Sequence, residues 1–284
     1  MNLLSFLLLV LLMLSSGPEK YECARVLTLI NFCKETIWPG IFPGGSFNDG
    51  GFELKSGQAI LFKTPEGGWT GRVWGRTGCK FDRNGIGSCQ TGDCGNTLKC
   101  GGSGKTPVSL AEFNLAAKDF YDVSLVDGFN LPLAIAPVNG KGNCSIAGCD
   151  SDLRQDCPSE LSVKANGTGK VIACRSACDV FDTDQYCCRG SYGTPDVCHA
   201  TSYSKKFKAA CPTSYSYAYD DPSSLFTCFG ADYIITFCSS RNQTVCTFHD
   251  HKLVCNKKAN GSNPLRLCWS AMFALLLMNS WFML

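Results

Sequence analysis

The 284-residue sequence carries little net charge: 26 Lys and Arg against 24 Asp and Glu leave a formal +2 at pH 7. It has no block of like charge and no low-complexity tract, so it offers neither an electrostatic footprint for nucleic acid nor a compositional case for disorder. It also lacks an amphipathic helix of ordinary length; only 176–184 and 204–210 admit a short helical reading, which leaves a β architecture. What it has in excess is cysteine, 20 residues, and glycine, 29 residues. In a reducing cytosol dense cysteine usually means metal, whereas a cysteine fraction of about 7% in a chain this long points to a secreted, disulfide-bonded protein.

Long apolar runs are confined to the two ends. Leu3 to Leu14 has about the length of a signal-peptide core, is too short to span a bilayer, and is followed by the small residues Ser15, Ser16 and Gly17. Leu267 to Leu284 is 18 residues without a charge. A retained transmembrane helix normally carries Lys or Arg on its cytoplasmic side, and none follows here. The alternative is a removable signal for a glycosylphosphatidylinositol (GPI) anchor. Asn260, Gly261 and Ser262 suit its attachment site, although the spacer 263–266 is shorter than the usual ~8–12 residues. The GPI reading is preferred, with attachment at Asn260 and 261–284 removed.

Between these ends the sequence reads as short strands. Arg25 to Asn31, Ala59 to Lys63, Gly71 to Arg76 and Tyr233 to Phe237 are rich in β-branched and aliphatic residues or alternate polar with apolar. Phe120 to Val126 and Phe129 to Ala136 flank Asp127-Gly128, a dipeptide that favours a tight hairpin, and Pro132 places the second of these strands at an edge or a bulge. The expected fold is mainly β, a flattened sandwich or barrel. Cys79, Cys89, Cys94 and Cys100 lie in a Gly-rich stretch, and seven more cysteines lie from Cys149 to Cys198. Neither stretch holds enough apolar sequence to order itself, so two disulfide-rich loop subdomains are expected beside the β core.

The stretch Gly85 to Cys100, GIGSCQTGDCGNTLKC, closely resembles the signature of the thaumatin-like family, which includes osmotins and other plant pathogenesis-related proteins. RVLTLINFC, GRVWGRTGCKFD, LAEFNL, DFYDVSLVDGFN, the Cys187-Cys188 pair, YAYDDPSSLFTC and YIITFC follow in the family's order, so the resemblance covers about Ala24 to Cys238. Asn96 departs from it, since the signature usually has Gly or Gln there, and a local backbone change is expected. The segment Phe42 to Gly51 looks like the longer loop of the larger members. The resemblance implies a β core of 24–76, 108–150 and 212–240, a small subdomain of 77–107 and a larger one of 151–211. A C-terminal extension of 241–260 follows.

The resemblance also implies the pairs Cys33–Cys238, Cys79–Cys89, Cys94–Cys100, Cys144–Cys228, Cys149–Cys211, Cys157–Cys174, Cys178–Cys187 and Cys188–Cys198. Of the four cysteines left, Cys268 goes with the tail, and Cys246 can pair with Cys255 across a short loop. An odd thiol is avoided if the signal region 1–23 is removed by cleavage after Cys23 or Ala24. Cys246, His249, His251 and Cys255 could together ligate zinc, but an oxidising compartment favours a plain disulfide. No metal and no cofactor is expected. Asn166 and Asn242 head glycosylation sequons, as does Asn143 immediately before Cys144.

Carried over by resemblance, the functional residues are Arg72, Glu112, Asp122, Asp127 and Asp220, lining a cleft between the β core and the larger subdomain. Each has an ordinary alternative: Glu112 on a solvated strand face, Asp127 in a turn, Asp220-Asp221-Pro222 as a turn opener. Trp69, Trp74, Phe113, Tyr121 and Phe129 lie nearby in sequence, as core residues or as platforms for sugar rings. Carboxylates around one arginine suit a neutral polysaccharide, and the resemblance implies binding of β-1,3-glucan by an extracellular monomer at the cell surface. One alternative is weak endo-β-1,3-glucanase activity with Glu112 as acid and Asp127 as its ionised partner. The other is a non-enzymatic interaction or structural protein of the apoplast in development. Membrane permeabilisation is disfavoured by the near-neutral charge.

Overall fold

A computed structural model describes residues 24–239, 244–249 and 252–255, all within the unit Ala24–Asn263. The signal region 1–23, Asn242, Asn260 and the apolar tail 261–284 lie outside the described residues. In chain order the first strands are β1 (Val26–Asn31), β2 (Trp38–Phe42), β3 (Ala59–Lys63), β4 (Trp69–Arg76), β5 (Lys80–Phe81), β6 (Gly87–Ser88), β7 (Leu110–Leu115) and β8 (Asp119–Ser124). There follow β9 (Leu133–Val138), β10 (Ala147–Cys149), β11 (Ser162–Lys164), β12 (Val171–Cys174), β13 (Phe226–Cys228), β14 (Asp232–Phe237), β15 (Cys246–His249) and β16 (Lys252–Cys255). The helices are short: α1 (Ala177–Phe181), α2 (Asp184–Cys187), α3 (Ser202–Ala210) and α4 (Asp221–Ser224).

Two five-stranded sheets carry the fold, ordered β10-β9-β14-β1-β3 and β13-β8-β7-β4-β2. Neighbours are antiparallel except β1 and β14, which run parallel from Leu27 opposite Tyr233 to Asn31 opposite Phe237. Strand alternation sends Leu27, Leu29, Ile135, Tyr233 and Ile235 of the first sheet against Val73, Ala111, Phe113, Tyr121 and Val123 of the second, all nearly or fully buried. Rings bridge the layers, with Tyr233 5.4 Å from Phe113 and 5.1 Å from Tyr121 between centroids. A polar pin crosses with them: the fully buried Asp119 accepts from the Arg25 guanidinium at 3.2 Å and from the Tyr233 hydroxyl at 3.0 Å.

The strands β1, β9 and β14 are buried at every position, which a sheet covered on one face only does not require. The second cover is the C-terminal extension. Val245 packs on Ile30, Ala136, Val138 and Ile234, the Thr247 and Thr28 hydroxyls share a hydrogen bond, and His249 Nδ1 lies 2.7 Å from Asp232 Oδ2. The extension is a hairpin, β15 with β16, and its two cysteines are joined to each other.

Disulfides join Cys33–Cys238, Cys79–Cys89, Cys94–Cys100, Cys144–Cys228, Cys149–Cys211, Cys157–Cys174, Cys178–Cys187, Cys188–Cys198 and Cys246–Cys255. The excursion after β4 is held to the second sheet by Arg76. This side chain is fully buried and donates to four backbone carbonyls, those of Trp38, Thr97 and Leu98 at 2.7–2.9 Å and that of Pro39 at 3.4 Å. Loss of solvent pushes its pKa down to about 10. Asn96 in this excursion sits at φ +60°, the left-handed region in which glycine is unstrained. The larger excursion builds its own small core from Leu125, Phe129, Leu153, Leu161 and Phe207 around cystines.

Two expectations are corrected. Asp127-Gly128 does not turn a hairpin, because β8 pairs with β7 and β13 in one sheet while β9 pairs with β10 and β14 in the other; the turn instead starts a crossover between layers. Its local geometry is a tight turn, Gly128 N donating to Leu125 O at φ +91°, and local turn chemistry does not encode which strand comes next. Pro132 does not mark an edge, since it precedes β9, a strand with a neighbour on each side. The missing N–H is harmless at that position, and the Pro132 carbonyl accepts from Cys238 N at 2.9 Å.

Candidate functional site

The second sheet buries one face in the core and turns the other outward, and its register decides what that outer face displays. Arg72 on β4 stands directly opposite Glu112 on β7, and Glu112 directly opposite Asp122 on β8. Three ionisable side chains on adjacent strands therefore form one rung. Two residues along the strands, Thr70, Asn114 and Phe120 form a second rung, and two residues the other way Trp74, Leu110 and Ser124 form a third. At the third rung the small disulfide-rich excursion closes over Trp74, whose indole donates to Gly92 O at 2.8 Å.

Beyond β8 the larger excursion supplies the opposite wall. Tyr215 lies beside the end of β8, its N–H donating to Val123 O and its carbonyl accepting from Leu125 N, both at 2.8 Å. Its hydroxyl donates to Asp221 Oδ1 at 3.0 Å. The resulting trough has two lobes of about 350 and 330 Å³ that share Arg72, Glu112 and Asp122. Asp127, Ser124 and Tyr215 line the first; Thr70, Asn114, Phe120 and Leu225 line the second.

The electrostatics follow from partial burial beside a single cation. The Arg72 guanidinium lies 3.5 Å from Glu112 Oε1, both side chains about one-third exposed (36% and 33%). Desolvation raises the Glu112 pKa, with Arg72 opposing and Asp127 adding to the rise. Asp127 is raised in the same way by burial, against Arg72 and with Asp179 adding. Asp122 moves furthest, from 3.8 to about 8, through desolvation first and then the charges of Glu112 and Asp221. Its Oδ1 is buried without a hydrogen-bond partner, as suits a carboxyl group that keeps its proton at neutral pH. The rung reads cation, anion, neutral acid, and its formal charge cancels.

Asp220 does not join this group. It is 8% exposed and lines neither lobe, receiving Ser216 N and Oγ at 3.0 and 2.8 Å and the Lys208 ammonium at 2.8 Å. Its carboxylate fastens the 215–223 segment to α3. The neighbouring Asp221 is the residue whose charge reaches Asp122. Trp69, Trp74, Phe113, Tyr121 and Phe129 are 7% exposed or less and serve the cores, so the ring surfaces open to the trough are those of Phe120 and Tyr215. Thr70, Asn114 and Ser124 were legible by counting two residues from Arg72, Glu112 and Asp122. Tyr215 and Asp221 carried no such signal, because they arrive from a segment about 90 residues later and only the folded chain brings them in.

The model of the thaumatin family matches residues 31–239. The pathogenesis-related thaumatin-like protein 3.5 of Cryptomeria japonica is 58% identical over 221 residues, covering 76% of this chain and 91% of that protein. Pathogenesis-related protein 5 of Arabidopsis thaliana is 51% identical over 242 residues, covering 84% and 99%. Among solved structures the thaumatin-like xylanase inhibitor is similar at 26% identity, covering 75% of this chain and 99% of that one with a TM-score of 0.41. The chain belongs to the thaumatin family.

Proposed function

We propose that the chain is an extracellular defence protein whose trough binds a neutral polysaccharide of the β-1,3-glucan type. The observation that carries this reading is the rung itself. Arg72 donates, Glu112 accepts, and Asp122 with its proton does both, so alternating sugar hydroxyls find donors and acceptors along one rung. Thr70 and Asn114, whose side chains share a hydrogen bond at 3.1 Å, extend the polar floor. The test is co-sedimentation with insoluble β-1,3-glucan at pH 5–6, wild type against Arg72→Gln. Retention of wild type with about tenfold weaker retention of the variant supports the reading; passage of wild type into the supernatant refutes it.

Hydrolysis is a second reading, favoured by the Asp122 proton. A glycosidase needs one protonated carboxyl and one ionised partner. Here the most strongly held proton is on Asp122 and the carboxylate paired to a cation is Glu112. On that reading Asp122 is the acid and Glu112 the ionised partner, a different division from Glu112 with Asp127. Release of reducing ends from laminarin by wild type and not by Glu112→Gln supports turnover; equal rates in both refute it.

Nine disulfides belong in an oxidising compartment, and with the apolar ends they support passage through the secretory pathway and a GPI anchor at Asn260. Release from cells by a phosphatidylinositol-specific phospholipase tests the anchor. Asn166 and Asn143 are exposed and, with Asn242, are proposed glycan acceptors, tested by a mobility shift on enzymatic deglycosylation.

A further inference from the structure

A small cavity opens in the larger disulfide-rich excursion, between α1, α2, α3 and the 216–218 segment. It adjoins the trough, Val126 and Ala218 lining both. Its chemistry differs from the trough's. No Asp, Glu, Lys or Arg lines it; its walls are largely apolar side chains and half-cystines, and they include the rings of Tyr186, Tyr203 and Tyr217 and the polar groups of Gln185, His199 and Ser216. The rings are mutually set, Tyr186 edge-on to Tyr203 at 5.8 Å between centroids. The Tyr203 hydroxyl is fixed by Glu160 at 2.8 Å.

Rings beside amide and hydroxyl groups, with no fixed charge, match a group that has an apolar face and a polar edge, which describes a neutral hexose. A charged substituent would be desolvated there without a counter-charge. The cavity measures about 50 Å³ against about 350 Å³ for the adjoining lobe. At ~10–15 Å³ per water site it holds the equivalent of roughly four waters, so it admits the leading edge of one sugar ring and not a chain.

We propose that this cavity is a side subsite for a single glucosyl branch, so that a glucan whose main chain lies in the trough and whose branch enters here binds better than an unbranched one. The inference rests on the glucan-binding reading of the trough and adds a preference to it.

The test is calorimetric titration of the full chain with two probes, linear laminarihexaose and the same hexaose carrying one 6-linked glucose. The variants are Gln185→Ala, at an exposed position, and Tyr217→Phe, which keeps the ring and removes the hydroxyl. The expected result is about tenfold tighter binding of the branched probe by wild type, with the preference falling about threefold or more in each variant while affinity for the linear probe is unchanged. Equal affinities of wild type for the two probes overturn the inference and leave the trough reading standing. A preference that both variants retain in full overturns the placement in this cavity. If neither probe binds, the inference falls together with the trough reading.

Discussion

Replacing Asp122 by Asn tests the claim that the rung contains a neutral acid. In the unfolded chain this carboxyl ionises near 3.8; in the folded chain it does so near 8. A raised pKa means the folded state holds a proton that the unfolded state releases, so stability is fully present below pH 3.8 and is lost as pH rises toward 8. The loss is ~1.4 kcal/mol per pH unit between those values, which sets a ceiling of roughly 6 kcal/mol. The trough is open to water and Glu112 titrates with its neighbour, so about 2–3 kcal/mol between pH 4 and pH 8 is the realistic size. Asn keeps the shape of the protonated acid and cannot ionise. Guanidinium unfolding of wild type and Asp122→Asn, disulfides intact, followed by fluorescence at pH 4, 6 and 8, isolates the rung because titrations elsewhere cancel between the two. The variant should match wild type near pH 4 and exceed it progressively toward pH 8. A difference that stays constant with pH, or one that turns in favour of wild type as pH rises, refutes the reasoning.

Asp119→Ala should cost about 3–5 kcal/mol in denaturant unfolding, because it strands the Arg25 guanidinium and the Tyr233 hydroxyl between the sheets; adding Arg25→Met should recover part of the loss. Arg76→Lys should cost about 2–3 kcal/mol and speed proteolysis within 77–107, since an ammonium cannot reach all four carbonyls that the guanidinium spans. Asn96→Gly should change stability by less than about 1 kcal/mol and in favour of glycine, as the backbone there is already left-handed; a clear loss in thermal unfolding would show that the Asn side chain contributes.

Strand positions were legible because apolar alternation is local. Ala59–Lys63 is a strand over the same five residues, and Val26–Asn31 and Asp232–Phe237 differ from the sequence reading by one residue at one end. Sheet membership was not, and the Asp127-Gly128 turn shows why: the same dipeptide closes a hairpin or launches a crossover, depending on partners far away in sequence. The composition of the trough divides along the same line. Glu112 and Asp122 could be named, but their pairing with Arg72 in one rung depends on registers between β4, β7 and β8 that no spacing specifies. Asp220 and Asp221 are adjacent, and only the hydrogen bonds of the 215–223 segment distinguish the one that fastens the loop from the one that reaches Asp122. The aromatics stayed open between core and sugar platform for a simple reason: a ring that alternates toward the core looks the same in sequence as one that alternates toward solvent.

The parallel pairing of β1 with β14 bears on how the chain is made. Val26 and Asp232, which share a hydrogen bond, are 206 positions apart, so the first strand to leave the ribosome has no partner on that side until nearly the whole domain has followed. At ~5–20 residues per second the wait is roughly 10–40 s, during which Leu27, Leu29 and the edge of β1 are open to solvent. A chain built this way must keep its N-terminal strand from competing contacts until β14 has been made. Truncation anywhere before β14 should therefore yield chains retained as misfolded material in place of shorter folded domains.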